Sequence, residues 1–565
     1  MPTELFGVFG GRDRFERLRS PEPFDVVVEG ESVTVGVSDG AFGRPQRSAV
    51  HQDADGFCAV FGELYPPEWA ESDPARWVYH HYQTTGERAL ENLNGSYVIV
   101  LEYDGEATVV TDQIRSRECF YTVESAPVFG TDAVNVARTV RNRTLDHDNL
   151  LEYLYLSVVL GEGTLYEQLK RVPFDGVLRE EGVDRLDRFV YQSESFDYAA
   201  ALDDRIERAV DRRTDPRGST GLLLSAGFDS RTLLATADVD VCYTVGESDS
   251  GEVRSAKRLA AQYDTPHVAL APDDRYLNTD PGMCRYTHGT KESLHVHHAG
   301  YESEMRTRKM LHGWMFDSLL REHFVPQRTV EVMGRTIPVD RLDPDVDPVE
   351  FATRKMGYLP EASSVHDRFR AMGVVDYGPE SFVDATIQQE FECCKRAGET
   401  PHDTANRFGV KNIPSAPFRN HLIDTFEESF VAADLDLVSW HLRTPPEHRN
   451  TKTFLEALDR IDGSLRDVRP PDRPHDRFLL NQAEKFLRKK VPDLEPFGTP
   501  WPDRRELYQR NKLDEVLFDD QPWLHDHSPR FKLRFHDVLC WLDAVEQNTV
   551  TPDALFDRRV APLGA

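Results

Sequence analysis

The chain has 565 residues, too many for one hydrophobic core, and this length predicts two domains. Its 97 acidic and 67 basic residues give a net charge of −30, which repels phosphate backbones and excludes a general nucleic-acid binder. No stretch approaches the ~18 apolar residues that span a bilayer, and the N-terminus has no basic segment before an apolar run. We therefore expect a cytoplasmic protein without a membrane partner. The seven cysteines lack the paired spacing of a zinc site.

Short apolar runs separated by Gly, Asp and Pro predict a strand-rich first part. The predicted strands are Phe24–Val28, Ser32–Val37, Phe57–Phe61, Tyr97–Glu102 and Ala107–Thr111. Helical periodicity interrupts them at Pro74–Thr85 and Asp148–Leu160. These patterns predict a mixed α+β domain over residues 1–192.

The hydrophobic period changes near Tyr198, where a helix precedes the apolar run Gly221–Leu224, a polar turn and a second helix. Another strand, Val239–Val245, precedes a further amphipathic helix. Strand and helix in alternation predict a parallel sheet with helices on both sides. From about Glu380 the pattern is mostly helical. The second domain, 197–565, is therefore expected to be α/β with a helical C-terminal part.

The strongest local signal is the segment Leu224-Ser225-Ala226-Gly227-Phe228-Asp229-Ser230, where an apolar strand ends in small residues and opens a helix. Backbone N–H groups and the helix dipole at such a junction point at one anion-sized space, which suits pyrophosphate. Gly227 allows close approach of the backbone, and Asp229 can hold magnesium. Ser225 and Ser230 can donate hydroxyl hydrogen bonds. An ordinary strand-turn-helix with a serine cap is the alternative.

This segment resembles the SGGxDS pyrophosphate loop of the ATP pyrophosphatase superfamily, with Ala226 in place of the first glycine. It is not a Walker loop, because no Gly-Lys-Ser follows. The resemblance implies that ATP is cleaved between its α- and β-phosphates and that AMP is left on the substrate.

Collinear segments over nearly the whole chain resemble asparagine synthetases. In the first part these are Phe6-Gly7-Val8-Phe9-Gly10, Phe61-Gly62-Glu63-Leu64-Tyr65, Leu93-Asn94-Gly95-Ser96-Tyr97 and the stretch from Asp112 to Tyr121. In the second part, Tyr243-Thr244-Val245-Gly246 is similar to the strand end that contacts adenosine. The resemblance therefore implies that Leu224, Val245 and Gly246 bind ATP.

Residues 310–317, Met-Leu-His-Gly-Trp-Met-Phe-Asp, resemble the family's apolar strand and its Ser-Gly-Glu-Gly-x-Asp-Glu loop. This places His312 and Gly313 at the nucleotide and makes Asp317 a second magnesium ligand facing Asp229. Two carboxylates around one metal-bridged pyrophosphate are electrostatically sensible. A helix cap before Ser318 is the alternative role for Asp317.

Residues 445–455 are similar to the family segment that ends in a lysine before an apolar helix. The resemblance makes Lys452 the candidate catalytic residue, which contacts the phosphates and stabilises charge as the adenylate forms and collapses. A surface lysine that opens a helix is the alternative.

The first domain departs from the family at its nucleophile. A glutaminase of this kind uses its N-terminal residue as nucleophile, with the α-amine as base. Removal of Met1 would expose Pro2, Phe6 matches the family cysteine, and Phe61 matches the asparagine that grips glutamine. Thr3 could act only after a further cleavage. We therefore expect a four-layer αββα domain, like those of N-terminal-nucleophile hydrolases, that does not hydrolyse glutamine.

The synthetase loop also departs from type, because Trp314 stands where asparagine synthetases carry Glu and Ser318 replaces the Glu after the aspartate. These changes resemble those of β-lactam synthetases, whose first domain is also inactive. Trp314 either shapes a pocket for an organic substrate or fills space.

The resemblance implies an ATP- and magnesium-dependent amide ligase that joins a small carboxylate to ammonia or another amine. The alternative is a non-catalytic relative that binds a nucleotide or a partner protein. Family members often form homodimers, but nothing in this sequence demonstrates one. Loops at 280–298 and 380–417 are expected to select the carboxylate, which the sequence does not identify.

Overall fold

The computed structural model of the protein describes residues 3–67, 73–214, 218–321, 323–331, 336–475, 478–490 and 501–556. Its first part combines antiparallel sheets with helices. The strands are Glu4–Phe9 (β1), Val26–Glu29 (β2), Val33–Ser38 (β3), Ala49–Gln52 (β4), Gly56–Leu64 (β5), Gly95–Tyr103 (β6), Glu106–Thr111 (β7), Phe120–Thr122 (β8), Val128–Gly130 (β9), Leu169–Arg171 (β10), Gly176–Arg179 (β11) and Gly182–Arg185 (β12). The helices are Arg12–Leu18 (α1), Pro74–Thr85 (α2), Ala133–Thr139 (α3) and His147–Leu156 (α4).

Within the described residues these strands form two six-stranded sheets, ordered β10-β8-β9-β1-β3-β2 and β12-β11-β7-β6-β5-β4. The sheets stack face to face. Alternation along β1 sends Leu5 and Phe9 into the apolar core between them, together with Val98 of β6, whereas Phe6 and Val8 face the other way. Helices α1 and α3 contact that outer face, and α2 covers the outer face of the second sheet.

The predicted elements of this part are present with some shifted ends. The five predicted strands correspond to β2, β3, β5, β6 and β7. The helix predicted at Pro74–Thr85 is confirmed at both ends, and Asp73 caps it by accepting two backbone hydrogen bonds. The helix predicted at Asp148–Leu160 was too long. It ends at Leu156, because Ser157 adopts a left-handed conformation with φ of 64°.

The second part is built on a parallel sheet, as the alternation of strands and helices predicts. The strands are Thr220–Leu223 (β13), Val241–Val245 (β14), His267–Leu270 (β15), Lys309–His312 (β16), the hairpin Gln327–Glu331 (β17) and Thr336–Leu342 (β18), and Glu427–Ser429 (β19). Among the described residues the sheet has five strands, ordered β15-β14-β13-β16-β19, with all neighbours parallel.

Strand order reverses between β13 and β16, since β14 and β15 lie on one side of β13 and β16 and β19 on the other. In an open parallel sheet such a switch point leaves a crevice beside the carboxyl ends of the strands, where ligands bind. The two loops singled out in the sequence follow β13 and β16. They therefore meet at this crevice.

Helices surround the sheet and dominate the chain beyond residue 380, as predicted. They are Tyr198–Asp211 (α5), Phe228–Thr236 (α6), Gly251–Gln262 (α7), Cys284–Thr287 (α8), Phe316–Leu319 (α9), Pro348–Lys355 (α10), Ser363–Ala371 (α11), Pro379–Cys394 (α12), Pro401–Lys411 (α13), Ala416–Thr425 (α14), Leu435–Arg443 (α15), Thr451–Asp462 (α16), Phe478–Lys490 (α17), Arg504–Arg510 (α18), Leu513–Leu517 (α19), Pro522–His525 (α20) and Pro529–Glu546 (α21). Across the described ranges, no helix combines the length and the apolar character needed to cross a bilayer.

One apolar cluster joins the two parts of the chain. It contains Leu154 of α4, Leu222 of β13 and Trp541 of α21, all of them fully buried. The C-terminal helix α21 also contacts α3 and α4 of the first part. The division into domains at 1–192 and 197–565 stays a prediction, because the two parts share this core.

Candidate functional site

Hydrogen bonds fix the shape of the loop that follows β13. The hydroxyl of Ser225 accepts the N–H of Gly227 at 3.1 Å, and the hydroxyl of Ser230 accepts the N–H of Ser225 at 2.9 Å. The N–H of Ala226 donates to the carboxylate of Glu252 at 2.7 Å. These three amides are thus used inside the protein. The anion-binding amides must lie farther along the chain than the strand end.

The first turn of α6 supplies those amides. Its N-cap, Gly227, is extended, and no side chain caps the helix. The first N–H groups of a helix have no partner within it, and the helix dipole makes this end electropositive. The N–H groups of Phe228 and Asp229 therefore favour an anion such as a phosphate.

Gly313 brings the two loops together. A β-carbon at this position would lie 2.8 Å from the backbone carbon and Cβ of Asp229 and 2.8 Å from the nitrogen of Ser230. Only a residue without a side chain allows the loop after β16 to rest on the start of α6. The glycine at position 313 thus has a steric basis.

Asp229 has one carboxylate oxygen in an ion pair and one without a partner. Its Oδ2 accepts a hydrogen bond from Nη2 of Arg321 at 2.7 Å. Its Oδ1 is buried and has no hydrogen-bond partner among the described residues. Burial, together with the negative charge of Asp317, raises the pKa of Asp229 to about 6 against the attraction of Arg321. The two carboxylates therefore interact electrostatically. The metal pair that they are predicted to form stays a prediction.

Asp317 lies in the second position of α9, with two-fifths of its side chain exposed. It does not cap the helix, so the alternative role for this residue is not observed. Burial alone would raise its pKa, but His323, 3.4 Å away, and Arg321 hold the pKa below its ordinary value. A carboxylate that stays ionised is suited to a cation.

A polar pocket of about 270 Å³ opens beside Asp317. Its lining includes four Lys and Arg side chains that were not predicted from the sequence, and three of them, Arg321, Lys355 and Arg473, act on the two aspartates. Arg321 acts electrostatically on both aspartates, Arg473 on Asp229, and Lys355 on Asp317. Nothing in their spacing predicts this convergence, because they come from separate segments. Only the position of Arg321, four residues after Asp317, offered a local signal.

Lys452 lies at the first turn of α16 with 78% of its side chain exposed. Its ammonium is 3.9 Å from the carboxylate of Glu456, one turn along the helix. The preceding residue, Thr451, lines the pocket, whereas Lys452 is not among the lining residues. This placement matches the alternative of a surface lysine that opens a helix, and the catalytic role of Lys452 stays a prediction.

The residues predicted to contact the nucleotide occupy the ends of two adjacent strands. Leu224 already donates its N–H to Tyr243, and its carbonyl accepts the hydroxyl of Thr244 at 2.6 Å. Val245 is buried, and Gly246 continues the ladder by donating to Leu270. The backbone N–H groups of Leu224 and Gly246 are thus used within the sheet, and the contact of these residues with ATP stays a prediction.

His312 faces the first part of the chain. Its Nε2 is 2.9 Å from Oε1 of Glu428, which also accepts from Nε of Arg419 at 2.7 Å. Arg419 in turn donates to the hydroxyl of Ser96 in β6 at 2.7 Å. The end of β16 is therefore tied by buried polar side chains to the second antiparallel sheet.

Trp314 is partly buried and packs against the apolar core. Its ring lies 5.1 Å from that of Phe430, and its Nε1 donates to the hydroxyl of Ser415 at 2.8 Å. Both interactions favour the space-filling role among the two considered for this tryptophan.

The positions that match glutaminase residues carry no nucleophile. Phe6 is fully buried, with its ring 5.6 Å from that of Phe15. Phe61 lies under the guanidinium of Arg117 at 5.1 Å. The N–H of Thr3 donates to Asp424 at 2.8 Å. Met1 and Pro2 lie outside the described residues.

Two solved structures resemble the chain weakly. One, described as the allosteric regulatory enzyme of purine biosynthesis, is 10% identical over 48% of this chain and 74% of its own, with a TM-score of 0.21. The other is a glutamine phosphoribosylpyrophosphate amidotransferase from B. subtilis complexed with ADP and GMP. It is 12% identical over 63% of this chain and 83% of its own, with a TM-score of 0.20. The description of the fold therefore rests on strand order and packing.

A search of curated proteins finds no match. Residues 201–286, however, match the family model described as asparagine synthase. This segment contains the loop after β13, Asp229 and the end of β14, and it stops before Asp317 and Lys452. The match supports the predicted resemblance to asparagine synthetases over this segment.

Proposed function

We propose that the protein activates a carboxylate with ATP as an acyl-AMP and transfers the acyl group to ammonia or another amine. The observation that carries the proposal is the packing of Gly313, four residues before Asp317, against Asp229 in the first turn of α6, at the switch point of the parallel sheet. The family match in residues 201–286 supports it independently. A relative that binds a nucleotide without catalysis has no comparable support.

The donor set fits magnesium. Oδ1 of Asp229 is buried without a hydrogen-bond partner, and Asp317 supplies a second carboxylate. In the part of the chain that the structure describes, no group of three or more His, Cys, Asp or Glu side chains is suited to a metal. Magnesium is commonly held by one or two carboxylates together with phosphate oxygens and water. When bound, it would neutralise charge on the phosphates.

The protein's part in the reaction is positioning and charge stabilisation. A substrate carboxylate oxygen attacks the α-phosphorus, and the bond from that phosphorus to the oxygen bridging to the β-phosphate breaks, with its electron pair leaving on pyrophosphate. The amine nitrogen then attacks the acyl carbon, AMP leaves with the acyl–oxygen electron pair, and the nitrogen loses a proton. The backbone N–H groups of α6 stabilise the negative charge that develops on the phosphates in the first step.

We infer that the first part of the chain does not hydrolyse glutamine. Phe6 and Phe61 replace the residues that would attack and hold glutamine, and both are buried in apolar or aromatic contacts. Ammonia from solution is then the simplest nitrogen source. The first part serves as a structural partner of the α/β part, through Ser96 and the shared core.

The test is pyrophosphate release from MgATP with ammonium and a panel of amino and other carboxylic acids. We expect release that depends on one class of acid and falls about 100-fold or more in Asp229→Asn and Asp317→Asn. The exposed Asp520→Asn serves as the matched control and should retain the wild-type rate. A wild-type protein that neither binds MgATP nor releases pyrophosphate with any acid would contradict the proposal.

A further inference from the structure

Arg321 is placed where a leaving pyrophosphate needs a cation. Its guanidinium is 2.7 Å from Oδ2 of Asp229, its side chain is only 11% exposed, and it lines the pocket beside Asp317. It also lies 5.5 Å from the ring of Phe454 in α16. These contacts hold a permanently charged group at the junction of the α6 start and the pocket.

The two oxygens of Asp229 allow one carboxylate to serve a cationic side chain and a metal. Oδ2 accepts a hydrogen bond from Arg321, while Oδ1 is buried and, within the part of the chain that the structure describes, has no hydrogen-bond partner. A guanidinium carries five N–H donors in a planar fork, so it can hold a carboxylate and a phosphate oxygen at once. The ion pair is therefore compatible with metal binding at the other oxygen.

Arg321 and Lys452 differ in the exposure of their side chains to solvent. The lysine is 78% exposed and lies near Glu456, so water and salt screen its charge. A charge that is mostly withdrawn from water interacts more strongly with a nearby anion. Arg473 and Lys355 line the same pocket, which also contains the carboxylates of Asp343, Asp347 and Glu350.

We propose that Arg321 is a catalytic residue that binds the leaving pyrophosphate, and that Lys452 is dispensable for this step. The inference rests on the proposed function and deepens it. When the bond between the α-phosphorus and the bridging oxygen breaks, the electron pair stays on that oxygen. The positively charged guanidinium of Arg321 then stabilises the negative charge of the leaving pyrophosphate. No proton is transferred to or from Arg321.

The test is binding of inorganic pyrophosphate with magnesium by calorimetry, together with pyrophosphate release during turnover. Arg321→Gln should weaken pyrophosphate binding on the order of 10-fold or more, because a charge-assisted hydrogen bond is lost. Arg321→Lys should recover part of the affinity, since it keeps the charge without the fork. Lys452→Gln is the matched control and should bind within about twofold of wild type.

Each result decides the inference. Unchanged or tighter pyrophosphate binding in a folded Arg321→Gln protein would overturn it, as would a loss confined to Lys452→Gln, and both leave the ligase proposal standing. Thermal unfolding of each variant establishes that it is folded, and if Arg321→Gln is not, Arg321→Lys decides by whether it binds less tightly than wild type. Failure of the wild-type protein to bind pyrophosphate or MgATP would overturn the inference and the proposed function together.

Discussion

At the scale of single residues, the site depends on what is missing as much as on what is present. Gly313 has no side chain, which lets the loop after β16 touch Asp229. Gly227 leaves the start of α6 without a side-chain cap. Asp229 leaves one buried oxygen without a partner. Under the proposed function, each of these absences leaves room for a phosphate or its metal.

Replacing Gly313 with alanine should damage the site. The new Cβ would lie 2.8 Å from atoms of Asp229 and Ser230, so the two loops must move apart. We expect MgATP binding to weaken at least about 10-fold and the free energy of unfolding to fall by about 1–3 kcal/mol. Isothermal calorimetry and urea unfolding measure the two effects.

Gly463→Ala is the matched control, because a β-carbon there meets no atom within 4 Å and the backbone is helical. It should leave MgATP affinity unchanged and the stability equal or slightly higher. Wild-type affinity in Gly313→Ala would show that the contact between the loops does not matter for the nucleotide.

At the scale of elements, α21 connects the two parts of the chain through a buried carboxyl group. Asp537 accepts the N–H of Ser293 at 2.8 Å and lies 3.3 Å from the hydroxyl of Tyr153 in α4. Burial raises the pKa of Asp537 from 3.8 to about 7, and the neighbouring charge of Glu292 contributes. The contact between α21 and α4 is therefore sensitive to pH.

The sign of this dependence follows from the raised pKa. Between about pH 4 and 7 the folded protein keeps the Asp537 proton that the unfolded chain has lost, so stability falls as the pH rises through this window. Asp537→Asn stays neutral throughout. Relative to wild type, we expect the variant to gain on the order of 4 kcal/mol between about pH 4 and 8.

Urea unfolding of both proteins across this pH range measures the difference. Asp520→Asn, at an exposed position, should follow the wild-type profile. A constant difference between Asp537→Asn and wild type would show that Asp537 is ionised in the folded protein.

At the scale of the whole molecule, repulsion within the net charge of −30 destabilises the folded state, whereas the apolar core that spans both parts of the chain stabilises it. Excess charge of one sign destabilises a compact state by self-repulsion. Raising KCl from about 0.1 to 1 M shortens the screening length from about 10 to 3 Å. The melting temperature should therefore rise by at least about 2 °C in scanning calorimetry.

Glycine betaine at the same concentration distinguishes screening from general exclusion of solutes. Being uncharged overall, betaine cannot screen, so an equal rise with betaine would assign the KCl effect to exclusion. A melting temperature that falls with KCl would mean that attractive ion pairs outweigh the repulsion.

Much of the α/β part follows from local sequence patterns. The apolar run before Ser225 and the small residues after it predict β13, the turn and α6, because each depends on neighbours in the chain. The place of Gly313 and Asp317 after β16 agrees with what the resemblance to the asparagine-synthetase loop implies. The early end of α4 escaped prediction, since its apolar pattern continues past the left-handed Ser157.

The sequence by itself determined the alternation of strands and helices, the parallel sheet and the glycine-containing loops at the ends of two strands. Only the tertiary structure decided which charges surround Asp229 and Asp317. Arg321, Lys355 and Arg473 come from three separate segments, and Lys452, adjacent to a pocket residue, is exposed. The reason is physical: backbone patterns depend on residues a few positions apart, whereas the position and solvent exposure of a charge depend on packing between distant segments.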